Sequence, residues 1–223
     1  MKQLFMLALI GLAGVTGCSQ KESVLNTVVS PTTDKEADML RVQFQGKYKI
    51  VSSLSDVAID VNQDGVASTN MLQEIPDLAL DNQTKYNVEL RITDPSLYNP
   101  AYTPANYPKT PEYFFVQWWP EQFIRTGPGK VWDNNEKIAY NPNYVVDYEF
   151  QSTLRKFSFS SDHKQITVIP DDNGNPFRWI RPESVTVQDN GQLKTVNKRR
   201  VYTSAGVTDV IITTVYERFT TIT

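Results

Sequence analysis

Alternation with a period of two constrains this chain more than any other feature. Over residues 86–93, Tyr86, Val88, Leu90 and Ile92 alternate with Asn87, Glu89, Arg91 and Thr93. In an extended backbone this puts every apolar side chain on one face. A strand with one dry and one wet face belongs in an antiparallel sheet packed on one side. Further strands are expected over 46–53, with Tyr48 and Ile50 on one face, and over 112–119, 144–150, 154–160, 165–169, 183–188, 198–204 and 208–221. Asp172-Asn173-Gly174 and Asp189-Asn190-Gly191 are turn signals between them, and Gly206 is placed to turn the last hairpin. Nine short strands with little helical periodicity specify an all-β domain, a meander closed as a barrel or folded as a sandwich.

Two departures from this rhythm stand out. Asn70 is placed to cap a short helix, with Gln73 at the reciprocal capping position and Pro76 to end it, while 38–44 reads as a short helix or as the approach to the first strand. Residues 95–111 carry Pro95, Pro100, Pro104, Pro108 and Pro111 among Tyr98, Tyr102 and Tyr107. Proline removes ladder donors, so this segment is a long loop rather than a central strand, and long loops are where function concentrates.

The N-terminus sets the address. Lys2 precedes an apolar run from Leu4 to Val15 that is too short to span a bilayer and ends in Val15-Thr16-Gly17-Cys18. This pattern is that of a bacterial lipoprotein signal, cleaved before Cys18 and lipidated on its sulfur. The expected organisation is a signal peptide over 1–17, a lipidated cysteine and polar tether over 18–38, and one β domain over 39–223. The expected location is the outer membrane of the cell envelope, on its periplasmic face or at the surface, with the membrane as partner through the lipid. Ser19-Gln20-Lys21-Glu22-Ser23 resembles the short charged signals that send some Bacteroidota lipoproteins to the cell surface. A net charge of −3 without a basic stripe excludes a nucleic-acid footprint. With the one cysteine spent on the anchor, stability rests on a hydrophobic core.

Chemistry-bearing groups are few. Asp60-Val61-Asn62-Gln63-Asp64-Gly65 matches the first half of a calcium loop, with oxygen ligands Asp60, Asn62 and Asp64 at alternate positions and glycine at the sixth. The twelfth position, a bidentate glutamate in such loops, is Met71; Glu74 or Asp77 would have to be recruited. Two readings stay open, a Ca2+ site and a tight acidic turn whose side chains bond their own backbone. Tyr113, Phe115, Trp118, Trp119 and Trp132 form the expected lining or rim of a ligand pocket, set against plain core packing. His163, the lone histidine, sits in Ser161-Asp162-His163-Lys164 and reads as a solvated turn residue. Lys198-Arg199-Arg200 reads as a solvated edge. The many carboxylates, Glu121 and Glu149 among them, include no pair that the sequence selects for hydrolysis. No phosphate-cradling glycine loop or G-x-S-x-G elbow is present.

Gly46-x-Tyr48 followed by Asp60-x-Asn62-x-Asp64-Gly65-x-x-Ser68-Thr69-x-x-Leu72-x-Glu74-Ile75 resembles the lipocalin-like lipoproteins of gut Bacteroidota over residues 46–93. The lipocalin signature itself has Trp where Tyr48 stands, and a threonine-aspartate-tyrosine motif where this chain has Thr208-Asp209-Val210. The resemblance implies a calycin-type antiparallel barrel with a pocket at one end, and an arginine near the chain end, Arg218, packed against Tyr48. The expected function is non-catalytic binding of a small, mainly apolar molecule. The alternatives are a surface accessory protein that recognises glycan or protein through the proline-tyrosine loop, and a hydrolase using an unrecognised carboxylate pair.

Overall fold

Strand pairing closes on itself. The computed structural model describes residues 34–79, 86–93, 110–132, 134, 136–170 and 181–223. Cys18 with its signal and the Asp172-Asn173-Gly174 turn lie outside the described residues, as does the proline-tyrosine loop apart from Thr110 and Pro111. The described elements are α1 (Asp34–Phe44), β1 (Gly46–Ile59), β2 (Ser68–Asn70), α2 (Met71–Glu74), a 3-10 turn (Pro76–Leu78), β3 (Val88–Ile92), β4 (Tyr113–Gly127), β5 (Lys130–Val131), β6 (Val145–Phe159), β7 (Gln165–Val168), β8 (Ser184–Val187), β9 (Leu193–Thr203) and β10 (Gly206–Thr220). All pairings are antiparallel, and the order β10-β9-β8-β7-β6-β4-β3-β1 is closed by β1 pairing with β10. The result is a lipocalin-like, eight-stranded all-β barrel, with β2 paired to β1 and β5 to β4 outside the ring.

Several boundaries move. The two strands expected over 144–150 and 154–160 are one strand, β6, in unbroken register with β4 from Phe114↔Lys156 to Arg125↔Val145. The strand expected from Lys198 begins earlier, at Leu193. α1 is helical from Asp34, inside the segment assigned to the tether, because Ala37, Leu40 and Phe44 recur at helical spacing and bury one face. Asn70 caps α2, accepting from the Leu72 amide at 3.1 Å, whereas Gln73 bonds Ser68 rather than reaching back to Asn70. Pro76 ends α2 by opening the 3-10 turn.

The core divides along the barrel axis. At the α1 end, Leu40, Phe44, Tyr48, Phe115, Phe157 and Phe159 pack in one cluster. At the other end Ile59, Trp119, Val201 and Ile212 pack beneath Met71, Ile75 and Leu78 from α2 and the turn. A third cluster, Ile124, Trp132, Tyr202 and Val207, holds the extension of β4 against the β9–β10 hairpin.

One corner fastens the helix to the closed ring. Tyr48 and Arg218 are register partners across β1 and β10. Arg218 Nη1 donates to the carbonyls of Val42 and Gln45, both at 3.1 Å, meeting the bare carbonyls at the end of α1. The Tyr48 hydroxyl donates to the Phe44 carbonyl at 2.5 Å, and burial pushes its phenol up to about 12 against the lowering pull of Arg218. Arg41 ties the helix to the end of β3, Nη2 donating to the Thr93 carbonyl at 2.7 Å. Gly46, between helix and strand, has φ +144, and a Cβ there would lie 2.1 Å from the Thr220 carbonyl oxygen. Only glycine fits this junction. Gly46→Ala is expected to cost about 2–5 kcal/mol through strain and overpacking, read by urea unfolding; a variant as stable as the parent would contradict this account of the corner.

Candidate functional site

Alternation along β4 and β9 sends side chains into the lumen from opposite walls. On β4 these are Tyr113, Phe115, Gln117 and Trp119, with Glu121 half-buried beyond them; on β9 they are Leu193, Thr195, Asn197, Arg199 and Val201. β4 and β9 are not neighbours in the ring, so contacts between them cross the interior. Arg199 Nη1 donates to Glu121 Oε1 at 2.7 Å, and its guanidinium lies 3.9 Å from the centroid of the Trp119 ring. The Arg199 side chain is 4% exposed and that of Glu121 19%. An ion pair this dry is held by excellent geometry and by the stacked indole, since removing either partner leaves a buried charge alone. One layer deeper, Gln117 Nε2 donates to the Tyr216 hydroxyl at 3.2 Å. Desolvation pushes the Tyr216 phenol up, partly offset by hydrogen bonds from Thr195 and Gln117.

Beside the Arg199–Glu121 bridge lie two small clefts, of about 10 Å³ and about 20 Å³, which share Glu121, Gln122, Trp132 and Asn134. Each has room for about one water molecule. The first reaches Trp119 and Arg199; the second reaches Glu149 and Gln151 on β6. Glu121 and Glu149 are register partners across β4 and β6, a like-charged pair that costs stability unless neutralised. Arg199 neutralises the first, and Gln151 Nε2 donates to the second at 3.1 Å. The Gln122 amide replaces a strand, donating to the Tyr202 carbonyl at 2.8 Å and accepting from the Tyr202 amide at 2.7 Å.

The expected aromatic lining is divided. Tyr113 and Phe115 belong to the α1-end cluster, with Tyr113 edge-on to Phe157 at 5.5 Å. Trp119 and Trp132 meet at the opposite end, where both line the first cleft, and Trp132 Nε1 donates to the Glu136 carbonyl at 2.9 Å. Trp118 points to the outer face, edge-on to Tyr86 at 6.3 Å.

The Asp60 loop is satisfied internally. Asp60 accepts from the amides of Asp64 at 3.1 Å and Gly65 at 3.2 Å; Asn62 Oδ1 accepts from Asp64 at 3.0 Å, and Asp64 Oδ1 from Val66 at 2.8 Å. Gln63 (φ 61) and Gly65 (φ 87) make the tight bend. Glu74 reaches beneath the loop, where its buried carboxylate accepts from the Val61 amide at 2.7 Å, and Met71 is buried in the core. Among the described residues no group of three or more His, Cys, Asp or Glu is arranged to hold a metal ion.

The charged run over 198–200 is not a solvated edge. Lys198 does pair at the surface with Glu183, but Arg199 enters the lumen and Arg200 pairs with Asp209 at 2.9 Å. Sequence reading missed Arg199 because the run of charge masked its place in the buried alternation of β9. His163 is in a turn at φ 57, half-buried with its ring 5.7 Å from Phe159 rather than fully solvated.

Comparison with known proteins adds no relative: no family, curated protein or solved structure matches this chain. The fold is one compatible with a ligand-binding protein. For the acidic loop, Asp60→Ala is expected to lower stability by about 1–3 kcal/mol through loss of its backbone acceptors, equally in calcium and in chelator. A loss confined to calcium-containing buffer would make the loop an ion site.

Proposed function

We propose that this is a lipid-anchored, non-catalytic binding protein of the bacterial cell envelope, which recognises its ligand at the barrel end formed by Trp119 and Trp132. The signal ending in Cys18 supports the anchor, and the resemblance to lipocalin-like lipoproteins supports a site at one end of the barrel. The observation that carries the reading is the convergence of indole, carboxylate, amide and guanidinium groups at this barrel end, around two clefts that each admit about one water and so would seat a functional group or an edge of a ligand rather than enclose it. Few, placed polar groups beside aromatic walls are what orient a small ligand. This lining favours a more polar ligand than the sequence suggests. Glu121 is committed to Arg199, so this wall presents an ion pair to whatever binds there.

A second reading, recognition of a macromolecule by the outer surface, draws on Val51 (48% exposed), Leu54 (50%) and Ile211 (39%), exposed apolar side chains on the paired strands β1 and β10. Its expected loop over 95–111 lies almost wholly outside the described residues.

Titration of the purified protein with a panel of sugars and small amphiphiles is expected to shift tryptophan emission saturably for at least one compound. Trp132→Phe should weaken that response by tenfold or more. A panel that leaves the emission unchanged throughout would sink the site. For the anchor, Cys18→Ala is expected to move the protein from the membrane to the soluble fraction; retention in the membrane would refute lipidation.

A further inference from the structure

Between its two apolar ends the lumen is polar. Ser53, Gln117, Thr195, Asn197, Thr214 and Tyr216 are buried there, none more than 2% exposed. Register places Thr214 opposite Ser53 on one side and Thr195 on the other, with the Ser53 and Thr214 hydroxyls 2.8 Å apart. Gln117 reaches Tyr216 from the far wall. Gln117 Oε1, Asn197 Nδ2 and Arg199 Nε, within and beside this belt, are among the buried atoms that have no hydrogen-bond partner among the described residues.

Unpaired buried polar atoms are costly, at about 1–3 kcal/mol each. A barrel whose lumen served stability alone would fill that layer with aliphatic side chains, as it does at both ends. The orphaned atoms are also complementary in kind: Gln117 Oε1 needs a donor, while Asn197 Nδ2 and Arg199 Nε need acceptors.

We propose that this belt is the inner half of the binding site and takes a small, uncharged hydrogen-bonding group of a ligand, a hydroxyl or a primary amide. The proposal rests on ligand entry at the Trp119–Trp132 end. Arg199 stands at the boundary, since it lines the outer cleft while its Nε has no partner. The guanidinium is already neutralised by Glu121 at 2.7 Å, so a charged ligand group would arrive in the lumen uncompensated, at heavy desolvation cost. A hydroxyl or amide supplies donor and acceptor together without that cost. The outer clefts have room for about one water each, so the group that reaches past Arg199 is small and the rest of the ligand stays outside the barrel end.

The test follows the side-chain amide resonances of Gln117 and Asn197 by NMR in the full chain, titrated with glycerol, acetamide and acetate as probes. Saturable shifts with glycerol or acetamide, and none with acetate, are expected. Asn197→Leu should abolish those shifts while raising Tm by ~2–4 °C, because it removes an unsatisfied group. Silence of both amides with every probe would overturn the proposal. So would an acetate response as strong as that to acetamide, or a fall in Tm for Asn197→Leu, which would mean a belt already satisfied by ordered water. The titration of the parent chain stands even if the variant fails to fold. Silent amides with a responsive Trp132 refute the inner half alone; an unresponsive Trp132 refutes the entry site.

Discussion

Pairing of β1 with β10 is the constraint on which everything else depends. It joins residues near the start of the described chain to residues at its end, Lys47↔Thr220 through Ser55↔Ile212. Without it the meander would be an open sheet with two long unpaired edges, a template for aggregation. With it, every wall of the lumen faces another wall, and residues remote in sequence can meet across it. Two register shifts, at Lys47/Tyr48 and Ile50/Ser52, bend β1 so that it can follow the curve. Joining such distant segments slows folding, since loop entropy is spent before the contacts return it.

The closed lumen is layered, and its layers divide the labour. The aromatic and aliphatic cluster at the α1 end and the cluster under α2 supply burial, the dominant favourable contribution to folding. The middle layer and the Arg199–Glu121 bridge take some of that stability back, because polar groups in a dry interior return little net energy even when paired. Groups that weaken a fold and sit beside its clefts are better understood as parts of a site than as parts of a scaffold.

Much of this fold is legible in the sequence, for a physical reason: strands with one dry face must alternate. The inward positions of β1 and β4 follow this rule, as do Val88, Leu90 and Ile92 of β3, but the face of β3 expected to be wet is dry as well, with Asn87 and Glu89 buried and only Arg91 exposed. The break expected in β6 came from Gln151, Ser152 and Thr153, whose polarity reads as a turn; in a barrel with a polar lumen, inward positions need not be apolar, so the strand runs through them. The same effect hid Arg199. The acidic loop was ambiguous because Asp and Asn at alternate positions serve a cation and a backbone turn equally well. The internal bonds of Asp60, Asn62 and Asp64 support the turn, and Met71 packs in the core where a calcium loop would present a carboxylate. The aromatic run over 113–119 was legible as strand but not as a site, because the five expected residues belong to opposite ends and opposite faces of the barrel.

The barrel has two unlike poles. α1 seals one of them with Leu40 and Phe44, and the clefts open beside Trp119 and Trp132 at the other. The chain arrives at α1, so whatever grips it upstream of Asp34 grips the sealed pole. Such a molecule points its clefts away from its point of attachment. β1 alone, with 14 residues, has a contour of ~45 Å, which its tilt in the barrel shortens along the axis. Under the proposed anchoring the barrel is a rigid arm as well as a closed shell, and its length sets how far from the supporting surface the clefts stand.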